Sequence, residues 1–175
     1  MRAMRRTLLI ALAAALAGGA VHAQEPISAL KGHNTNAPVD VTSDRIEVQD
    51  RADRAIFSGN VHVRQADLTL EAERVTVAYS NAGGVQINRI DAAGGVTVRS
   101  PSESARGSFG VYDTERKLIT LVGDVQLSRG GSQINGSRLV IDLQSGRAVV
   151  DGGPAGVGQS GGRVTGHFTV PQRGD

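Results

Sequence analysis

A short phrase built on glycine, a small polar residue and alternating aliphatics recurs along this chain, and it restricts the fold to strands. It reads Phe57-Ser58-Gly59-Asn60-Val61-His62-Val63, and again Leu121-Val122-Gly123-Asp124-Val125-Gln126-Leu127. A looser copy, Ala93-Gly94-Gly95-Val96-Thr97-Val98, lies between them. A shift of 64 positions superposes the outer copies without a gap and carries Leu70 onto Ile134, Arg74 onto Arg138, Val75 onto Leu139 and Val77 onto Ile141. Period-two alternation inside a fixed repeat describes a β-architecture of repeated strand pairs. Glycine within a strand marks a bend or a close backbone approach, so each phrase predicts a corner in a folded-over sheet. Such a sheet offers an apolar interior and two edges rather than a catalytic pocket.

The rest of the chain agrees. Val39-Asp40-Val41 and Ile46-Glu47-Val48 alternate, and Asp50-Arg51-Ala52-Asp53 reads as a turn. Ala55 to Gln65 is a strand, followed by Leu68-Thr69-Leu70 and Val75-Thr76-Val77, whose inward parity changes near Ala72. A phase change of that kind signals a bulge or bend. Further strands are expected at Val85–Ile87, Val96–Val98, Phe109–Asp113, Leu118–Ser128, Ser132–Asn135, Arg138–Leu143 and Arg147–Asp151, with Ser100–Ala105 as a polar loop. Gly152 to Gly162 is a glycine-rich connection, and a last alternating segment runs from Arg163 to Val170. No stretch after the first residues sustains helical periodicity, so the class is all-β.

The first residues stand apart. Arg2, Arg5 and Arg6 precede the apolar run Thr7–Ala17, and Val21-His22-Ala23 places small residues where a signal peptidase reads. The run is shorter than the ~20 residues that cross a bilayer, so residues 1–23 are expected to be a cleaved secretory signal. No Cys follows to carry a lipid anchor. The whole chain has 19 basic and 17 acidic residues; without the three signal arginines it has 16 against 17, a net charge of −1. The basic character thus belongs to the signal, and no basic cluster remains for nucleic acid. With no cysteine at all, an exported chain must rely on its core and its sheet hydrogen bonds. About 150 residues suffice for one such domain.

Catalytic chemistry finds little support. After the signal the histidines are His33, His62 and His167, with no His-x-x-x-His pair, and no thiol exists for zinc. The pairs Glu71/Glu73 and Asp50/Asp53 raise the possibility of glycoside hydrolysis, but Glu71 and Glu73 have outward parity and the aspartates read as turn formers. No Gly-x-Ser-x-Gly elbow occurs, and Gly152 to Gly158 lacks the lysine of a phosphate loop. Asn135-Gly136-Ser137 reads as turn chemistry. What remains is one apolar face on nearly every strand. A sheet curled around it could close into a solid core or splay into a groove.

Pro38-Val39-Asp40-Val41-Thr42-Ser43-Asp44 resembles the opening strand of the OstA-like family, and Phe57-Ser58-Gly59-Asn60-Val61-His62-Val63-Arg64-Gln65 is similar to that family's Phe-x-Gly-Asn-Val-x-Val-x-Gln signature. Leu121–Leu127 resembles its second copy, and Arg163-Val164-Thr165 with Pro171 its last strand. The resemblance spans 38–171. It implies a twisted, slightly open antiparallel β-jellyroll in the periplasm, without enzymatic activity, cofactor or metal; ahead of it the polar, irregular composition of 24–37 reads as a flexible segment, and 172–175 is left as a tail. It further implies that acyl chains of lipopolysaccharide ride along the apolar interior. Copies would join end to end, and to inner- and outer-membrane subunits, through edge-strand addition. Val39 and Val41 match lipid-facing positions of the family. Val98, after a one-residue gap, and Tyr112 match interior ones. Strand parity adds Phe57, Val61, Val63, Leu121, Val125 and Leu127. The basic tail of some members is missing. Two other readings are a membrane-anchored docking subunit of the same machine and a polysaccharide-acting enzyme on a β-solenoid.

Overall fold

A computed structural model of the chain describes Leu30 and residues 33–81, 83–153 and 162–169. The expected signal, residues 154–161 of the glycine-rich connection and the tail lie outside the described residues. Regular structure among the described residues comprises a 3-10 turn at Asp50–Ala52 and ten strands. These are β1 (Val39–Thr42), β2 (Arg45–Gln49), β3 (Arg54–Gln65), β4 (Leu68–Ser80), β5 (Gln86–Arg99), β6 (Glu103–Asp113), β7 (Leu118–Arg129), β8 (Ser132–Asp142), β9 (Arg147–Asp151) and β10 (Thr165–His167). All belong to one antiparallel sheet in the order β1-β3-β4-β5-β6-β7-β8-β10, with β2 also on β3 and β9 also on β8.

Each sheet edge is split in two. β1 pairs with the Val63 end of β3 and β2 with its Phe57 end. β9 pairs with β8 from Arg138 to Asp142, and β10 takes Gln133 to Asn135. The splits fall beside the recurrent glycines for a physical reason. Gly59 and Asn60 (φ 78° and 45°), Gly94 and Gly95 (85° and 65°), and Gly123 and Asp124 (81° and 47°) are consecutive left-handed residues inside β3, β5 and β7. At each pair the register shifts, for example between Ser58 and Val61 on β3 opposite Arg74 and Ala72 on β4. Two residues thus oppose one, which is a β-bulge and bends the strand.

The extra residue lets β3, β5 and β7 keep their inward parity through the bend, whereas their neighbours must change phase. Ala72 and Val75 on β4 are both buried, as are Ile134 and Leu139 on β8. The phase change read near Ala72 therefore has its cause on the adjacent strand. At the first corner the Asp44 amide donates to the Gly59 carbonyl (2.9 Å), and Asn60 Nδ2 donates to Asp44 Oδ2 (2.9 Å). A Cβ at Gly59 would collide with the Asp44 carboxylate.

Because the corners align from strand to strand, the sheet doubles over into two layers with their apolar faces together. Val75, Leu121 and Leu139 are fully enclosed between them, each contributing roughly 1.5–3 kcal/mol relative to exposure. Several elements differ from expectation. Leu68–Leu70 and Val75–Val77 belong to the single strand β4, and Ser132–Leu143 is nearly all β8, because a bulge interrupts periodicity without ending a strand. Glu103 starts β6, so the polar loop covers 100–102 only. Asn135-Gly136-Ser137 lies inside β8 rather than in a turn. There Gly136 leaves room for Val150, whose Cγ1 would sit 2.5 Å from a Cβ at that position.

Candidate functional site

The inner face is ordered by cross-strand register into continuous apolar rows. In one layer Val41, Val63, Leu70, Val98, Ala105, Leu127 and Ile134 pair in succession from β1 to β8. Six interstrand steps make that row about 29 Å long. In the other layer Ile46, Phe57, Val75, Ala92, Gly110, Leu121, Leu139 and Val150 form a second row. Beside it run Val48, Ala55, Val77, Ile90, Tyr112, Ile119, Ile141 and Ala148. At the β2 edge these rows run out into solvent: Ile46 is 56% and Val48 58% exposed although their partners Phe57 and Ala55 point inward.

All ten residues singled out in the sequence face this interior. Val63, Val98 and Leu127 are buried in the first row, where Val41 is half-buried, and half-buried Val39 lies one position nearer the mouth opposite the corner. Phe57 and Leu121 share the second row, and Tyr112 stands in the third. Val61 and Val125 are buried next to the corner glycines. Leu68, Leu70, Ile90 and Ile119 join Val39, Val63, Val98, Tyr112 and Leu121 in lining a void between the layers, with Gln65, Gly110 and Val111 as its remaining walls. Strand parity marks Leu68, Leu70 and Ile119 as inward, whereas Ile90 lies between the strands expected at Val85–Ile87 and Val96–Val98. The void measures only about 30 Å³, room for a water or so. The two layers pack closely around this space within the twisted, slightly open antiparallel jellyroll.

The polar exception at the mouth was not legible in the sequence. Gln65 continues the inward parity of Val61 and Val63 and is buried. Its Nε2 donates to the carbonyls of Thr35 and Ala37, 3.0 Å each. Its Oε1 accepts from the Tyr112 hydroxyl of the opposite layer (3.3 Å) and lies 3.2 Å from His33 Nε2. His33 Nδ1 is 2.9 Å from Asp67 Oδ1 in the β3–β4 turn. Both ring nitrogens therefore lie within hydrogen-bond distance of a side-chain oxygen. The hydrogen bond from His33 holds the Asp67 carboxyl below its ordinary value, while burial pushes the Tyr112 phenol up. The His33 side chain is 1% exposed. Residues 33–37 lie against the roll through these bonds.

The outer face carries charge. His62 is largely exposed and 3.9 Å from Glu71, as its outward parity implied. Arg99 Nη1 lies 2.6 Å from Glu71 Oε2, and that hydrogen bond lowers the Glu71 carboxyl. Asp50 and Asp53 close the 3-10 turn, the Asp53 amide donating to the Asp50 carbonyl (3.3 Å). Among the described residues no three His, Asp or Glu side chains converge as a metal site, and no helix is long and apolar enough to cross a membrane.

The chain resembles known proteins in sequence and in fold. Residues 40–147 match the model of a family described as LptA/(LptD N-terminal domain) LPS transport protein. An uncharacterized protein of Rhizobium meliloti is 33% identical over 149 residues, covering 80% of each chain. The fold is similar to the crystal structure of LptH, the LptA homologous periplasmic component of the conserved lipopolysaccharide transport device from Pseudomonas aeruginosa. That match has a TM-score of 0.69 at 17% identity and covers 79% of this chain and 99% of the other.

Proposed function

The chain belongs to the LptA/LptD N-terminal domain family of lipopolysaccharide transport proteins, and from that membership we propose that it is a non-enzymatic periplasmic carrier. It shields lipid A acyl chains between its two layers and passes them from the inner toward the outer membrane by end-to-end assembly. The observation that supports this most directly is the run of in-register apolar rows from one split edge to the other. Moving an acyl chain through water costs roughly 0.8 kcal/mol per CH₂, and a row about 29 Å long offers a continuous alternative. The sugars stay in solvent at the mouth, where the exposed Asp67 carboxylate already presents a polar group.

The split edges suit assembly. β1 and β2 at one end, and β9 and β10 at the other, each have one strand partner among the described residues. Unpaired edges are normally a liability; here they are the surfaces for strand addition by a second copy or by membrane-bound subunits. The exposed Ile46 and Val48 would then be covered by the neighbour's interior. Hydrolysis is disfavoured by Glu71, because a general acid needs a raised carboxyl and Arg99 lowers this one.

A photo-crosslinking residue at Val41 or Tyr112 should capture lipopolysaccharide, and one at His62 should not. Equal capture at inner and outer positions defeats the carrier reading.

A further inference from the structure

A packed interior poses a mechanical problem for a carrier. A cavity that takes up benzene is about 150 Å³, whereas the void between the layers is about 30 Å³. An acyl chain can enter only if something leaves or the layers part. The structure shows what stands in the way.

Leu30 is 4% exposed and is part of the core cluster. It sits by Val98, Ala105 and Leu127 of one layer and Ile141 of the other, and Val98 also lines the central void. Its side chain is a branched hydrocarbon occupying the space between the two apolar faces. The Leu30 carbonyl accepts from the His33 amide (3.1 Å), so the position of Leu30 is tied to that of His33. His33 is clamped by Asp67 and Gln65, and Gln65 holds the Thr35 and Ala37 carbonyls while accepting from Tyr112 across the mouth. One side chain thus joins the strap, the first layer and the second layer.

We propose that Leu30 and His33–Ala37 form a strap that competes with lipid for the interior, Leu30 standing in for cargo until an acyl chain displaces it. This rests on the carrier reading and adds its regulation. The strap and the cargo have the same chemistry at the buried end, so exchange substitutes one hydrocarbon for another without exposing the rows to water. The polar end sets how readily the exchange begins. It leads directly into β1, whose Val39 and Val41 border the same mouth, so displacement of the strap opens the path beside them.

The test uses the full chain and purified lipopolysaccharide. Hydrogen–deuterium exchange of the unaltered protein should quicken at residues 33–37 when lipopolysaccharide is added, while amides at the centres of β6 and β7 stay protected. Leu30→Ala and His33→Ala should each tighten the apparent affinity for fluorescently labelled lipopolysaccharide, by about tenfold for Leu30→Ala, because the fraction of chain ready to bind rises. Slower exchange at 33–37 on lipid addition, or unchanged exchange with unchanged affinity in both variants, overturns the strap. Crosslinking at Val41 separates the two ideas. Capture there with no response at 33–37 removes the strap and leaves the carrier, whereas no capture in wild type or variants removes the carrier itself.

Discussion

The corner glycines make a quantitative prediction, because the first position of the pair in β7 is crowded and the second position of the pair in β5 is open. Gly123 and Gly95 are both left-handed, at φ 81° and 65°. A Cβ on Gly95 would meet nothing within 4 Å, whereas one on Gly123 would lie 2.7 Å from Ser108 Oγ and 2.9 Å from Ser108 Cβ. Gly95→Ala should therefore cost only the left-handed conformation, roughly 1–2 kcal/mol. Gly123→Ala adds the displacement of Ser108 and the loss of its hydroxyl bond to the Gly123 carbonyl (3.4 Å), worth about 0.5–1.5 kcal/mol. The total is about 2–3 kcal/mol, with a gap of about 1 kcal/mol between the variants. Gly95→Asn should be close to neutral, since Asn60 holds the equivalent place in β3 at φ 45° and Asn tolerates that region. Urea unfolding of the three variants resolves such differences provided the slopes match. Equal losses for both alanines would show that Ser108 carries no part of the cost. No loss in either would show that the left-handed pairs do not make the corner.

Two further outcomes follow from the edges and the mouth. Ile46→Lys with Val48→Lys should leave stability within about 0.5 kcal/mol, as both sites are already exposed. The same change should abolish concentration-dependent self-association in sedimentation velocity, because charge on an edge blocks strand addition. The Asp67 carboxyl is lowered from 3.8 in the folded chain. Its contribution is therefore present above the unfolded value and is lost as pH falls through the folded one. Wild type should lose more stability than Asp67→Asn across that acid window, and parallel pH profiles would contradict the His33–Asp67 clamp.

How much of this was legible depends on where each residue's determinants lie. The corners were legible because a left-handed pair inside a strand demands glycine followed by a residue such as Asn or Asp, and the 64-residue repeat displayed the demand twice. Strand continuity was less so. β4 looked like two strands because the bulge that shifts Ala72 against Val75 belongs to β3, and one strand's sequence does not announce its neighbour's extra residue. Glu103 and Gln65 hid the inward parity of their strands by being polar. The ten interior residues followed from resemblance and alternation, but the register that chains them into rows is a property of pairing. Leu30 and His33 carried no local signal, since a polar segment docks only where Gln65 and Asp67 happen to receive it.

The split edges have a consequence for any chain of these molecules. The sheet holds eight strand positions between its two ends, and neighbouring positions always run in opposite directions. An even count means that the last position and the first are antiparallel to each other. A second copy placed edge to edge, without a flip, therefore continues the alternation as though it were one longer sheet. With an odd count the junction would have to be parallel or one copy reversed, and the corner line would lose its direction at every joint. Strand direction alone therefore allows one copy's last position to pair antiparallel with the next copy's first, as the proposed edge-to-edge assembly requires.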